Sequence, residues 1–574
     1  MKFGQYFKNK LGALLVVATF LGALAAVSVP SFASDADESV AKKAPEVVAS
    51  LRFSGTDDLW NNSEKIADVM KYKEILQGVR GLLKIRAKMD VIDPSREWGA
   101  VVATDGDTIA AFGYLPLANP EEFDDLDVAE FMVNVQQLFK TTLPKLDAYV
   151  ENGFLLVFNR DQDSIVTSLP FESYGAPKQE GDASLLSLDI NFDALPKELV
   201  EAGAALVRQK LAEIAENESA YDQQSVDHAL AKYSDLINSL KQLRWSFTVD
   251  NDANLVSDLV LTTNPESPVA ESLVKTSQTQ TKWNAIAETP NAILAAAEAG
   301  VVFSPNLKGD VESLRKSIHD NLLNSLDILI DDPENFEIAK EIVGHVEEAL
   351  VANLESEVYD NGLAVASDPL SVIFANSCAA PDQIKTATDL LIKRLKKTNP
   401  ELAEAFKDEK VVDYDVTSVE LELNSISDEL PTFLKGKTLT VKYGVNSDSL
   451  LVVASFDASH AMSEFTRVAE SSREKTPQKN ESFYDLSQLA KALQIVLASY
   501  DNVRPQASRS VDAFANAEDA KIVFTREFRG NVVELKSTVK SDFFKALGDV
   551  MRINFMSGNG DEGEDVDDLF NDEE

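Results

Sequence analysis

The sequence contains a single cysteine, Cys378, among its 574 residues. One thiol cannot form an intramolecular disulfide, and it cannot supply the paired cysteines of a structural zinc site. The stability of the fold must therefore come from buried apolar surface. Cys378 lies in an apolar run over 372–380, which predicts a strand and a buried thiol that packs as a small hydrophobic side chain. The alternative is a nucleophilic cysteine, which requires a histidine that the fold brings close to it.

Basic residues are also scarce. The chain has 54 Lys and Arg against 95 Asp and Glu, so its formal net charge is −41 at pH 7. Binding to phosphate groups depends on clustered Lys and Arg that displace counterions. A strongly negative chain repels nucleic acid and anionic membrane surfaces. We therefore expect no nucleic-acid partner.

Several familiar catalytic motifs are missing as well. There is no Gly-x-x-x-x-Gly-Lys-Ser/Thr phosphate loop, no Gly-x-Ser-x-Gly nucleophile elbow and no His-Glu-x-x-His. His345 and Glu348 are one helical turn apart, but no second pair completes a metal-ligand set. Among 95 acidic residues, spacing cannot select a catalytic carboxylate pair. We nominate no catalytic, cofactor-binding or metal-ligating residue and no cofactor, and we interpret all four histidines as surface residues: His228, His319, His345 and His460.

Two short segments, 250–254 and 159–163, carry the alternating oxygen-bearing residues of a calcium loop. Both lack the glycine and the closing glutamate that such a loop requires. Asp and Asn also form turns without any metal. We interpret both segments as turns.

The first 33 residues have the pattern of a signal peptide. Three lysines precede an apolar run over 11–29, and Ser31 and Ala33 are the small residues at −3 and −1 of a cleavage site. We predict cleavage after residue 33, a flexible tether over 34–44, and a periplasmic location, with an extracellular one as the alternative. The alternative for the apolar run is an uncleaved anchor. Since no second apolar segment of 18 or more residues follows, we predict no transmembrane segment after cleavage.

Strands joined by tight hairpins dominate the rest of the chain. Gly106, Gly153 and Gly530 each lie between two apolar runs of period 2, where a tight turn needs a positive φ. Hairpins produce antiparallel sheets. We therefore predict an α+β fold in which helices pack on one face of each hairpin-rich sheet.

Two local predictions concern the first part of the chain. A helical region over 63–88 is expected to break near Gly78 and Gly81, because glycine weakens a helix. A further strand is expected after Asp163.

The order of elements in residues 45–275 recurs in residues 285–551, with a linker at 276–284 between them. Three matched pairs are separated by similar offsets: Gly99 and Gly362 by 263 residues, Gly153 and Gly436 by 283, and Trp245 and Ile522 by 277. Turn residues and strand alternation fix hairpin register, so topology survives when identity is lost. The offsets predict two similar halves with the same strand order, produced by duplication.

The last segment, 557–574, contains nine acidic residues and no basic residue. Such a block repels itself and is typical of a disordered tail.

The most distinctive local motif is the segment Asp93-Pro94-Ser95-Arg96-Glu97-Trp98-Gly99. We interpret it as a turn in which Trp98 anchors the entry to the following strand. The alternative is an exposed recognition loop.

This segment resembles one that recurs in a family of large exported bacterial proteins of unknown function. There it has the form Asp-Pro-Ser-x-Pro-Trp-Gly, and this chain has Glu97 in place of the second proline. The similarity continues through 236–243 and 436–445, so it covers most of the chain after the leader. The resemblance implies an α+β architecture with two similar halves, and it implies no activity.

These observations favour a soluble, exported envelope protein with a non-catalytic binding or structural role. Its partner would be an unknown protein or small molecule of the cell envelope. The first alternative is a carrier of an apolar ligand such as a lipid, because curved antiparallel sheets covered by helices commonly enclose an apolar cavity. The second alternative is a carboxylate-based hydrolase.

Overall fold

The structure is a computed structural model that describes residues 44–86, 92–106, 109–122, 146–159, 163–170, 184–195, 235–302, 307–318, 323, 326, 332–425, 431–500 and 503–558. The predicted signal peptide lies outside these residues, as do nearly all of the predicted tether and acidic tail. His228 and His319 also lie outside them.

The chain divides into two compact units. The first contains Met1–Leu206 and Ser234–Asn264, and the second contains Val207–Tyr233 and Pro265–Glu574. The helix Pro268–Ser277, which we expected at the end of the first half, thus belongs to the second unit. Each unit is described by itself below.

The first unit is built around an antiparallel sheet, with helices that include the three named below. Its strands are β1 Glu46–Phe53, β2 Trp98–Thr104, β3 Ile109–Pro116, β4 Leu146–Glu151, β5 Phe154–Asn159, β6 Leu186–Asn191, β7 Leu240–Val249 and β8 Leu255–Thr263. Its helices are α1 Thr56–Met70, α2 Lys73–Arg86 and α3 Asp163–Val166. Neighbouring strands follow the order β8-β7-β6-β1-β2-β3-β5-β4.

Turn chemistry accounts for the hairpins of this sheet. Asn152 and Gly153 both have positive φ, 51° and 80°, between β4 and β5, and Gly106 has a φ of 100° between β2 and β3. These are the values that tight hairpin turns require. One face of the sheet forms an aromatic-rich core with Phe112, Phe158 and the side chains of α3.

Two local predictions for the first unit are wrong. The expected strand after Asp163 is the short helix α3, whose Ile165 and Val166 are buried in the core. The helical region breaks at Lys71, which has a left-handed φ of 62°, and α2 then continues through Gly78 and Gly81. Good helix formers on either side offset the roughly 1 kcal/mol that each glycine costs.

The second unit contains the remaining strands and helices. Its strands are β9 Gln280–Thr281, β10 Ala292–Val301, β11 Val358–Ser367, β12 Leu370–Ser377, β13 Phe406–Val411, β14 Tyr414–Glu422, β15 Thr438–Val445, β16 Ser449–Ser455, β17 Thr476–Pro477, β18 Glu481–Asp485, β19 Lys521–Arg529 and β20 Val532–Val539. Its helices are α4 Pro268–Ser277, α5 Asn284–Ala287, α6 Leu307–Ser317, α7 Pro333–Glu355, α8 Pro381–Thr398, α9 Ala458–Ser471, α10 Leu486–Leu497, α11 Pro505–Ala515 and α12 Ser541–Gly558.

The large sheet of the second unit is antiparallel throughout its described pairs. Its strands follow the order β20-β19-β18-β10-β11-β12-β16-β15-β14-β13. The two-residue strands β9 and β17 form a separate pair. Both units thus combine antiparallel sheet with helix, and the predicted α+β class is confirmed.

The core of the second unit lies on one face of this sheet. Trp283, which precedes α5, Ile286 of α5 and Phe465 of α9 are fully buried against that face. Ile373 of β12 and Leu451 of β16 are among the strand residues that they contact. We call this side of the sheet the core face.

Helices also reach the opposite face of this sheet, which differs from the expectation of helices on one face. Ser367 at the end of β11 donates to Gln488 Oε1 of α10 at 2.8 Å. Tyr443 of β15 lies beside Thr388 of α8. Within the described part of the chain, none of the helices is both long enough and apolar enough to cross a membrane.

Candidate functional site

The histidines that the structure describes have structural partners. His345 Nδ1 lies 2.6 Å from Gln383 Oε1, which links α7 to α8. His460 Nε2 lies 3.4 Å from the hydroxyl of Ser371, whose side chain is buried on the core face. The described residues contain no group of three or more His, Cys, Asp or Glu side chains that could hold a metal ion.

Cys378 directly follows the last residue of β12, and its side chain is buried. The prediction of a buried small side chain is confirmed. Burial raises the pKa of its thiol, and hydrogen bonds with the backbone of Ala380 and the side chain of Asn353 only partly offset this effect. A raised pKa leaves less of the reactive thiolate at neutral pH.

The distinctive motif of the first unit forms a turn. Asp93 Oδ1 accepts hydrogen bonds from the backbone N–H of Ser95 at 2.9 Å and from its hydroxyl at 2.7 Å. Trp98 is buried and stacks on Phe53 with ring centroids 4.2 Å apart. This geometry agrees with the interpretation of Trp98 as an anchor for β2.

The calcium-like segment at 250–254 is also a turn. Asp250 Oδ1 accepts from the backbone N–H groups of Asp252 and Asn254, both at 2.9 Å, and Asp250 Oδ2 accepts from the Asn254 side chain at 2.8 Å. Its carboxylate oxygens are thus used within the turn. In the other segment, Asp163 begins α3, and residues 160–162 lie outside the described residues.

The feature with the clearest capacity to bind a ligand is the side of the second sheet opposite the core face. We call it the open face. Strand alternation places on it two rows of facing residues that run across the strands. The first row is Ala296, Leu363, Phe374, Val452 and Tyr443. The second row is Tyr484, Leu294, Val365, Val372, Ala454 and Val441.

These two rows contain no charged residue, yet several of their side chains are exposed. The exposed fractions are 40% for Leu363, 39% for Phe374, 42% for Val372 and 51% for Tyr484. Soluble proteins rarely leave a contiguous apolar surface in contact with water unless it binds something. The two rows therefore form an apolar surface in the middle of a sheet, which we call the platform. Because it is a face of the sheet and not an edge, another strand cannot pair with it through backbone hydrogen bonds.

A polar row borders the platform. Glu298, Asn361 and Asn376 face one another across β10, β11 and β12, two residues along each strand from the first apolar row. Two residues of strand correspond to about 7 Å. Glu298 forms an ion pair of 2.6 Å with Arg526 of β19, so this end of the open face is hydrophilic.

A cavity of about 510 Å³ adjoins the polar row. Asn376 and Tyr359 line it from the sheet, Ser313 from α6, and Leu350 and Asn353 from α7. Volumes of roughly 300–1,000 Å³ are typical of small-molecule sites. The cavity combines apolar walls with amide and hydroxyl groups.

The residues of the open face were not singled out from the sequence. The sequence predicts the segment around β12 only as an apolar strand near Cys378. The sequence does contain a signal for this face, because Val372, Ile373 and Phe374 are consecutive apolar residues and therefore place apolar side chains on both faces of β12. Such a run predicts a strand buried on both faces. Here one of those faces is exposed.

Comparison of the chain with family models, with curated proteins and with solved structures finds no match.

Proposed function

We propose that the chain is an exported, non-catalytic binding protein that holds an apolar ligand on the open face of its second unit. The exposed apolar rows through Leu363 and Val365 are the observation that carries this proposal. Covering apolar surface gains roughly 25 cal/mol per Å², so a ligand that covers these rows is bound by the hydrophobic effect. The predicted signal peptide and the acidic composition are our grounds for proposing a periplasmic location.

The occupant we propose is a long acyl chain. The first row crosses β10, β11, β12, β16 and β15, and the second row also reaches β18. Strands are about 4.8 Å apart, so the platform is at least about 19 Å long. It is only two rows wide. A long, narrow surface without charged groups matches an extended hydrocarbon, whose binding depends on covering apolar surface.

We also propose that the two units are copies of one ancestral unit. The order β8-β7-β6-β1-β2-β3-β5-β4 of the first sheet corresponds strand for strand to β20-β19-β18-β10-β11-β12-β16-β15 of the second. The strands β13 and β14 are then an addition to the second copy. The counterpart of the turn at Gly153 is the turn between β15 and β16, rather than Gly436, which precedes β15.

The same correspondence places an apolar face on the first sheet. Leu51, Leu188, Trp245 and Leu259 face one another across β1, β6, β7 and β8. This row is the counterpart of open-face positions in the second unit. An apolar row at corresponding positions in both units supports duplication of an ancestral unit whose sheet had two apolar faces.

The proposal is tested with the neutral apolar fluorophore N-phenyl-1-naphthylamine. We expect its fluorescence to rise on binding to the purified protein, and the Phe374→Glu variant to bind it at least about tenfold more weakly, because a charge is placed in the apolar row. Ile75→Glu is the matched control, since Ile75 is 59% exposed on α2. It should bind as the wild type does. Absence of binding to the wild type, or equal loss in both variants, contradicts the proposal.

A further inference from the structure

Resting on the proposed function, we propose that the ligand is an amphiphile with an uncharged, hydrogen-bonding headgroup, and that this headgroup occupies the cavity beside Asn376. The acyl chain would then lie along the rows that contain Phe374 and Val372. The geometry joins the two parts of the site, since Asn376 and Phe374 are two residues apart on the same face of β12. A ligand would cross from polar to apolar surroundings within about 7 Å.

Asn376, which lines the cavity, and its partner Asn361 indicate which headgroup fits. Asn376 Nδ2 donates to Asn361 Oδ1. This pair leaves the Asn376 carbonyl oxygen and the Asn361 amide nitrogen without a partner among the described residues. One free acceptor beside one free donor matches a hydroxyl or an amide, which can donate and accept at the same time.

Two other polar residues that line the cavity already have partners within the protein. Asn353 Oδ1 accepts from the backbone N–H of Ala379 at 2.7 Å, and the Ser377 hydroxyl donates to the buried carboxylate of Asp360 at 3.0 Å. These bonds hold the cavity wall in place. A headgroup therefore meets a preformed surface where Asn376, with Asn361 beside it, offers hydrogen bonds together with the hydroxyls of Ser313 and Tyr359.

Charge in the cavity disfavours an anionic headgroup. The described residues that line it include the carboxylate of Asp310 and include no Lys, Arg or His. The protein as a whole carries −41. Asp310 already takes part in an interaction within the protein. An uncharged headgroup avoids the desolvation of an ion with no counter-ion.

The experiment compares three ligands with the same C16 chain and different headgroups, each below its micelle concentration. Monopalmitoylglycerol, palmitate and hexadecyltrimethylammonium compete with N-phenyl-1-naphthylamine for the purified protein at pH 8. We expect half-displacement by the glycerol ester at a concentration at least about tenfold lower than by either ion. A palmitate or ammonium compound that displaces the probe as well as the ester overturns the inference.

Variants assign the selectivity to the cavity. Asn376→Leu should bring the three ligands within about threefold of one another while probe binding is kept. Asn376→Asp, which keeps the side-chain size, should shift the preference toward the ammonium compound. The control is Asn516→Leu, at an exposed asparagine after α11, which should keep the wild-type preference. Selectivity that survives both Asn376 changes overturns the cavity assignment.

The two proposals fail in different ways. If the wild type binds no probe, or if Phe374→Glu leaves binding unchanged, the apolar site itself is wrong. If the probe binds as expected but the headgroup series shows no preference for the uncharged ligand, only the headgroup inference is wrong.

Discussion

Asn361 and Asn376 face each other across β11 and β12, and Asn376 Nδ2 donates to Asn361 Oδ1. The exposed pair Leu363 and Phe374 lies two residues away along the same strands. The surface of the sheet thus changes from polar amide side chains to apolar side chains over two residues of strand. Because backbone pairing fixes this register, the boundary between polar and apolar surface is as rigid as the hairpin itself.

A pair of glycines tests the packing of the core face. An added Cβ at Gly362 would lie 2.6 Å from Ile286 Cδ1 and 2.9 Å from Trp283 Cβ, whereas one at Gly344 of α7 would meet no atom within 4 Å. We expect Gly362→Ala to lower the free energy of unfolding by about 1–3 kcal/mol, since α5 must move away from the sheet. Urea unfolding measures the change.

The matched variant, Gly344→Ala, should raise the free energy of unfolding by about 0.5–1 kcal/mol, because alanine is the better helix former. Equal effects of the two substitutions would show that α5 does not pack on Gly362 as closely as the structure has it.

The buried hydroxyl of Tyr443, at the β15 end of the open face, should make stability depend on alkaline pH. Burial raises the pKa of the Tyr443 hydroxyl to about 12, from an ordinary value of 10.0. Between these values the unfolded chain loses the Tyr443 proton and the folded chain keeps it, so the free energy of unfolding falls as pH rises from about 10 to about 12. This contribution is fully present below pH 10.

The Tyr443→Phe variant removes that proton. We expect urea unfolding of the variant to show a shallower fall in stability over this pH range than unfolding of the wild type. Parallel curves for the two proteins would argue against burial of the Tyr443 hydroxyl.

The single thiol provides a third test. Cys378 is buried and its pKa is raised, so the folded protein should react with Ellman's reagent at pH 8 at least about tenfold more slowly than the protein in denaturing urea. Because the chain has one cysteine, the absorbance reports this residue alone. Rapid, complete reaction of the folded protein would instead favour the alternative of an activated nucleophile.

Much of the fold could be predicted where residues adjacent in sequence determine the structure, as they do in tight turns. Gly106, Gly153 and Gly530 all have the positive φ that their turn sequences require, and each lies at a predicted hairpin. Gly78 and Gly81 misled the prediction, because helix propensity is a weak effect that neighbouring residues outweigh. The helix ended instead at Lys71, whose sequence carries no such signal.

The open face could not be predicted because exposure is not a local property. The alternation in β12 places Ile373 on one face and Phe374 on the other, and both residues are apolar. Which of them is covered depends on α5 and α9, whose residues come from segments about 90 residues away on either side. The sequence pattern therefore identifies the strand, but it does not show which helices, if any, cover each of its faces.

The position of β10 in its sheet has a consequence for the time course of folding. This strand pairs with β11 on one side and with β18 on the other, where Leu294 lies opposite Tyr484, about 190 residues later in the chain. The short pair β9–β17 spans a similar separation. Folding slows as contacting residues become more distant in sequence, because the intervening chain must be ordered first. A ribosome must therefore synthesise the chain past Asp485 before this unit can complete the centre of its sheet.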